Sequence, residues 1–287
     1  MASILITGTS MGIGMATAID LARAGHRVFA TMRNPDGNSE LAAIASNEGL
    51  PLSIHRLDVD SDSSVAEAVK EITGGGNEID VLVNNAGVER LGTVEEASLQ
   101  DFRTCMETNY FGAIRCIQAV LPRMRERRGG CIVNVASVAG HIAMSPMAPY
   151  AASKFALEAL SECLAQEVKP FNIRVAVVEP GIIDTRMAQN IAKPQSDSKY
   201  PSGRRVAALF TEALGAGSSP SLIADRIREI IESGTWTLRH PCGPDAAPFL
   251  GWRASMTDEQ WIDHAAQSDD EWQAQVARDF GMNVKLR

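Results

Sequence analysis

Short apolar runs alternate with longer stretches of helical period along this chain, and that alternation predicts its architecture. Runs rich in β-branched residues predict strands near 3–8, 27–32, 52–57, 79–84, 130–136, 173–179 and 235–239. Amphipathic stretches between them predict helices near 13–24, 39–47, 62–72, 98–125, 150–168, 202–214 and 221–233. The long stretch 98–125 contains Gly112, where a bend is expected. Runs such as Val175-Ala176-Val177-Val178 are apolar at successive positions, as in strands buried on both faces. Strands alternating with helices imply right-handed crossovers. The predicted fold is therefore α/β: one domain, a doubly wound parallel sheet of about seven strands, helices on both faces. Residues 1–240 hold this unit, including a loop at 182–201 that carries Met187, Ile191, Pro194 and Pro201. Loops of that length are usually functional or mobile. Residues 241–287 form an extension, expected on the same domain or at a subunit interface.

The first strand leads into the glycine turn Gly8-Thr9-Ser10-Met11-Gly12-Ile13-Gly14, and a helix follows at once. Free N–H groups and a partial positive charge make a helix N-terminus a phosphate site. Glycines there let backbone approach a pyrophosphate without an intervening Cβ. Further along, Tyr150 and Lys154 stand four residues apart, and so on one helix face. An isolated phenol, with a pKa near ~10, is a poor base at neutral pH. A neighbouring cation favours the phenolate. Alone, this pair has a plain alternative as a half-buried Tyr beside a solvent-facing Lys.

With Thr7, the turn reads T-G-x-x-x-G-x-G, and more motifs follow in order. They are Asn84-Asn85-Ala86-Gly87 after a strand, Asn109 in the next helix, Asn134-Val135-Ala136-Ser137, then Tyr150 and Lys154, then Pro180-Gly181. Over roughly residues 2–240 the chain resembles the short-chain dehydrogenase/reductase family, a Rossmann-type fold. The resemblance implies hydride transfer between a nicotinamide cofactor and a carbonyl or alcohol. Tyr150 would give or take the proton. Lys154 would lower its pKa and hold the nicotinamide ribose. Ser137 would bind the substrate oxygen, and Asn109 would hold a relay water. It also implies that Gly8, Ser10, Met11, Gly12, Ile13 and Gly14 cradle the pyrophosphate. Asp58 and Val59 would meet the adenine, and Asn84, Asn85, Ala86 and Gly87 would run along the adenine ribose. Pro180, Gly181, Ile182, Ile183 and Thr185 would line the nicotinamide side. Asp58 has an alternative role as cap of the helix near 62. His141 near Ser137 invites a catalytic role, but a loop His lining the pocket or meeting solvent is preferred.

The end of the second strand, Thr31-Met32-Arg33-Asn34, bears on the choice of cofactor. NAD-preferring members place an acid where Met32 stands. Here Arg33 follows, and a guanidinium suits a 2′-phosphate. NADP(H) is favoured. NAD(H) stays open, because Met11 stands where many NADP members carry a base. Val138, Ile142, Met144, Met147, Ile183, Met187 and Ile191 suggest an apolar, steroid-like, retinoid-like or aromatic substrate. Rival readings are a cofactor-binding regulator without catalysis, an epimerase or dehydratase on the same fold, and a purely structural subunit.

Composition adds bounds. The chain has 287 residues, 45% hydrophobic and 22% charged, enough for a sizeable core. A net charge of −8 argues against nucleic acid as a partner. The arginines of Arg123–Arg128 read as a solvated helix end. Five cysteines without a Cys-x-x-Cys pair fit reduced thiols, and no metal is expected. No leader pattern and no membrane-length apolar run is seen, so a cytoplasmic enzyme is expected, forming a homodimer or homotetramer by resemblance. Thr257 or Asp258 is expected to cap a late helix carrying Trp261, Trp272 and Phe280, which serve either as surface anchors or as a pocket wall or subunit contact.

Overall fold

The structure is a computed structural model that describes residues 1–37, 39–193 and 198–286. Seven parallel strands form one sheet: β1 (Ser3–Thr7), β2 (Arg27–Met32), β3 (Leu52–Arg56), β4 (Val81–Asn84), β5 (Gly130–Val135), β6 (Ile173–Pro180) and β7 (Arg239–Cys242). Their order is β3-β2-β1-β4-β5-β6-β7, so the chain reverses its winding between β1 and β4. Ligands of such sheets bind at that switch point, beyond the strand C-termini.

The strand pattern explains why both faces are covered. Successive side chains point to opposite faces. Ile4 and Ile6 enter one apolar cluster with Val28, Val81 and Val83. Leu5 enters the other with Phe29, Leu82 and Ile132. Helices α1 (Gly12–Arg23), α2 (Ser39–Glu48) and α9 (Ser221–Ser233) cover the first face. Helices α3 (Asp62–Gly74), α5 (Gly112–Arg127) and α6 (Ala148–Val168) cover the second. The remaining helices are α4 (Leu99–Met106), α7 (Arg186–Ile191), α8 (Ser202–Gly215), α10 (Ala246–Ala254), α11 (Asp258–Ala266) and α12 (Asp269–Phe280). A third apolar cluster lies where α8, α10 and α12 meet Ile142, Tyr150 and Ile182.

Several expectations are corrected. The seventh strand lies at Arg239–Cys242 rather than 235–239. Thr235 and Thr237 bond each other through their hydroxyls, and the ladder starts where Arg239 pairs Val177. Pro241 is tolerated because β7 is an edge strand. Residues 98–125 do not run as one α-helix but divide just before Gly112. A π-helical turn, Glu107–Phe111, separates α4 from α5, and Gly112 N–H reaches back five residues to Glu107 O. Ser61, not Asp58, caps α3, accepting from Ser64 N–H at 3.3 Å. The loop at 182–201 contains α7, capped by Thr185, while Pro194 lies outside the described residues. Thr257 caps α11 through a capping box with Gln260. No described helix is long and apolar enough to cross a membrane. The arginine run at the end of α5 pairs locally: Arg127 with Glu78, and Arg123 with Glu78 at 3.5 Å.

Candidate active site

The glycine turn stands above β1, beside the loop after β4. Gly8 has φ +71°, and a Cβ there would fall 2.7 Å from Ala86 Cα. A Cβ on Gly14 would fall 2.3 Å from Gly8 O and 2.4 Å from Asn85 Nδ2. Both positions therefore exclude a side chain. Thr7 Oγ1 fastens the two loops together, accepting from Asn85 N–H and Ala86 N–H at 3.0 Å each. Asn85 Nδ2 donates to Thr7 O at 3.0 Å and Gly8 O at 3.1 Å. Helix α1 has no side-chain hydrogen bond from its N-cap residue, Met11, and no acid in its first turn, and its first residues Gly12, Ile13 and Gly14 line the adjoining cleft.

That cleft gathers nearly all the residues singled out for a dinucleotide. Gly8, Ser10, Met11, Gly12, Ile13 and Gly14 form its floor. Arg33, Asp58 and Val59 stand at one end, and Asn85, Ala86 and Gly87 along one side. Thr185 closes the other end. Asn84 is turned away: its amide donates to Asn134 Oδ1 at 2.9 Å within the core. Alternation along the strand requires this once Asn85 faces the turn. Met32, the position weighed for an acid, lines the cleft too, while Asp60, Glu89, Arg186 and Asn190 also line it and were not anticipated. Arg186 directly follows Thr185, which was singled out. A glycine-floored cradle at a bare helix N-terminus fits a pyrophosphate.

A second cavity adjoins the first, with Thr185 and Met187 lining both. It lies over β5, β6 and the start of α6. Ser137, Tyr150, Pro180, Gly181 and Ile183 face it. All seven residues anticipated for an apolar pocket line it, among them Val138, Met144 and Ile191. Sequence reasoning missed Leu209, Phe210, Phe249, Trp252 and His264, which come from α8, α10 and α11. Trp272 and Phe280 of α12 complete the roof. Trp261 packs behind it at 5.1 Å from Trp252 and donates to Ala143 O at 3.1 Å.

Pro149 occupies the first turn of α6, where its missing N–H is harmless, and Tyr150 follows within that turn. Tyr150 is buried, and burial pushes its phenol up to about 12, opposed by the hydrogen bond with Ser137. Lys154 is buried too, and burial lowers its ammonium to about 8. Its Nζ donates to Val135 O at 2.9 Å and stands 5.6 Å from the Tyr150 ring centre. Asn109, in the π-helical turn, donates to Val88 O and Ser153 Oγ at 2.9 Å each, and accepts from Val88 N–H at 2.8 Å. A Cβ on Gly87 would lie 3.3 Å from Asn109 Oδ1 and 3.8 Å from Lys154 Nζ, so both groups sit beneath that loop. Burial raises the thiols of Cys105, Cys116 and Cys131 to about 11, 12 and 11, which makes them unreactive.

His141 is partly exposed and turns its ring toward two buried acids. Its Nε2 lies 2.8 Å from Glu179 Oε1 and 3.5 Å from Glu158 Oε2. Those hydrogen bonds, with Glu158 first, raise His141 to about 9. Because the folded value exceeds the free value of 6.5, this pairing stabilises fully below pH 6.5 and is lost as pH rises through about 9. The thermal midpoint of His141→Leu should therefore lie furthest below that of the wild type near pH 6. The gap should close toward pH 10, as measured by thermal melts across that range.

A switch-point cleft floored by glycines beside a Ser–Tyr–Lys group defines a nicotinamide-dependent oxidoreductase. The family model described as short chain dehydrogenase matches residues 2–196, and the chain belongs to that family. It is an NAD(P)-dependent enzyme with the family's Rossmann-type fold. It is 37% identical over 266 residues to retinol dehydrogenase 8 of Bos taurus, covering 88% of this chain and 85% of the bovine protein. It is 40% identical over 187 residues to 3-ketodihydrosphingosine reductase of Bacteroides thetaiotaomicron, covering 65% of this chain and 66% of that one. Among solved structures, a short-chain dehydrogenase from Streptomyces avermitilis superposes with a TM-score of 0.76 at 29% identity, over 96% of this chain and 95% of that one.

Proposed function

We propose that the protein interconverts a ketone or aldehyde and its alcohol with NADP(H), on a largely apolar substrate. The observation that carries this reading is the placement of two hydroxyls, Ser137 and Tyr150, on the wall of a cavity lined chiefly by Met, Ile, Phe and Trp. An apolar molecule would be held there with its single polar oxygen against those two groups. Two relatives, named for retinol and for 3-ketodihydrosphingosine, support the apolar reading.

When bound, NADP(H) supplies or accepts the hydride. The chain's own residues do the rest. Tyr150 gives its proton to the substrate oxygen in reduction and takes it back in oxidation. Ser137 donates to that oxygen as charge develops. Lys154 sits near enough to favour the phenolate form of Tyr150. Asn109, beneath the same loop as Lys154, holds the proton's route toward solvent. Gly8 to Gly14 receive the pyrophosphate on backbone N–H groups. Asp58 and Val59 take the adenine, Asn85, Ala86 and Gly87 its ribose. Pro180, Gly181, Ile183 and Thr185 take the nicotinamide.

Arg33 is exposed at the cleft end, with Met32 before it and Arg186 also at the rim. A charge-assisted bond is worth about 1.5–3 kcal/mol, and the lower figure applies at an exposed site. Arg33→Ala should thus raise KM for NADPH about tenfold and leave KM for NADH unchanged, as measured by steady-state kinetics with both cofactors. Equal effects on both cofactors would refute the NADP(H) assignment. The reaction itself is tested by mixing protein, NADPH and a panel of apolar ketones and following nicotinamide absorbance. Tight NADPH binding without turnover of any of them would overturn it.

A further inference from the structure

Behind the proposed reaction site lies a cluster that the chemistry above does not use. Glu158 and Glu179 are 5% and 1% exposed, yet their carboxylates converge. Two buried carboxylates so close repel each other and lose their hydration. Two cations compensate them. His141 Nε2 approaches both, and Arg239 Nε lies 3.0 Å from Glu158 Oε2 and 3.9 Å from Glu179 Oε1. Arg239 Nη2 also reaches Glu162 Oε2 at 2.6 Å. With His141 protonated, the inner four groups sum to zero charge.

The placement of these residues gives the cluster its meaning. His141 follows directly on the single helical turn Val138–Gly140, whose N-cap is Ser137. Glu158 lies one turn beyond Lys154 and two beyond Tyr150, on the same side of α6. Glu179 directly precedes Pro180-Gly181 at the end of β6. Arg239 opens β7, paired with Val177. The turn also sits hard against α6: a Cβ on Gly140 would fall 2.9 Å from Glu158 Cγ and 3.2 Å from Lys154 O. The segments bearing Ser137, Tyr150 with Lys154, and Pro180-Gly181 are therefore tied to one four-membered ion cluster.

We propose that His141 and Arg239, by neutralising Glu158 and Glu179, act as positioning residues that fix the Ser137 turn against Tyr150. This rests on the reading of Ser137 and Tyr150 as the groups that meet the substrate oxygen. His141 is the decisive member, because it is the cluster residue that directly follows the Ser137 turn and meets acids of both α6 and β6. Without its charge, two buried anions share one guanidinium, and the turn is freed from the carboxylate that holds its far end. The ligand atoms of His141, Glu158 and Glu179 also lie within 4.8 Å of one another, a spacing open to a divalent cation. Arg239 already occupies that position, so a guanidinium is the favoured occupant.

The experiment compares His141→Leu, His141→Arg and Ser137→Ala with the wild type, using the ketone turned over with NADPH. His141→Leu should lower kcat about tenfold to hundredfold, the scale of a misplaced reacting group. KM for NADPH should stay within about twofold, since the cradle at α1 is untouched. His141→Arg should restore kcat to within about threefold of wild type. Should His141→Leu fail to fold, His141→Gln keeps the size and loses the charge, and it carries the same readout. Unchanged kcat in the uncharged variant, with Ser137→Ala inactive, would sink the positioning role while sparing the reaction assignment. If Ser137→Ala is fully active, the underlying site reading fails instead. A kcat loss that Arg does not rescue, or turnover abolished by EDTA and restored by zinc alone, would overturn the ion-cluster account.

Discussion

Tyr150→Phe is expected to lower kcat by a factor of about 10²–10⁴, the usual contribution of a positioned proton-transfer group. The substitution removes one oxygen from a ring that stays packed among Ala139, Ile142 and Met147, so the fold should persist. Binding of NADPH should change little, because the cleft floor at Gly8 to Gly14 is separate from the ring. The burial that raises this phenol to about 12 keeps it protonated at neutral pH, ready as a donor in the reducing direction. In the oxidising direction a base is needed, and on the proposed reading the Lys154 ammonium would favour one. Stopped-flow or steady-state kinetics with matched NADPH binding by fluorescence would check this. Retained turnover in Tyr150→Phe would remove the proton-transfer assignment altogether.

Gly14→Ala should have the second largest effect, and on a different quantity. The new Cβ would press on Gly8 O at 2.3 Å and Asn85 Nδ2 at 2.4 Å. A backbone carbonyl cannot swing aside as a flexible side chain can. Overpacking of this kind costs about 1–3 kcal/mol, and the two Asn85 bonds to Thr7 O and Gly8 O are disturbed as well. At about 2–4 °C per kcal/mol, the thermal midpoint should fall by roughly 5 °C or more. NADPH affinity should fall at least about tenfold, since the amides that would meet the pyrophosphate are displaced. Gly251→Ala is the control: nothing lies within 4 Å of its Cβ, and the residue sits inside α10. It should leave affinity unchanged and the midpoint equal or slightly raised. Calorimetric titration and thermal melts separate the two variants.

Much of the cleft was legible because its parts are local. The turn at 8–14, the loop at 85–87 and the pair Tyr150/Lys154 are short runs, ambiguous singly, whose spacing carries meaning once they are met together and in order. The parallel sheet was legible for a related reason: runs such as Val175–Val178 are apolar on both faces, which only a covered strand requires. The π-helical turn at Glu107–Phe111 was not, because shifting one hydrogen bond by a residue leaves the hydrophobic period almost intact. The start of β7 was misplaced because Thr235–Leu238 has strand composition, while Pro241 argued against the segment that does pair. His141 was set aside for catalysis because Asn109, Ser137, Tyr150 and Lys154 leave no role vacant, and its pairing with Glu158 and Glu179 was hidden because both are distant in sequence. Acids inside an apolar helix and strand were the signal, Glu158 one turn past Lys154 above all. The cavity roof was half seen. Trp272 and Phe280 were weighed as a wall, but Phe249, Trp252 and His264 had no local mark.

The family match ends at residue 196, and the cavity roof is drawn from residues 246–280. The floor with Ser137 and Tyr150 and the glycine cradle both lie inside the shared portion. The proposed reacting groups and the ceiling above them therefore lie in separate lengths of the chain. A lineage that exchanges its last three helices keeps the strand ends and every group placed on them, and acquires a different ceiling. On the proposed reading, the shape of the substrate is set in part by residues 246–280, beyond the family match.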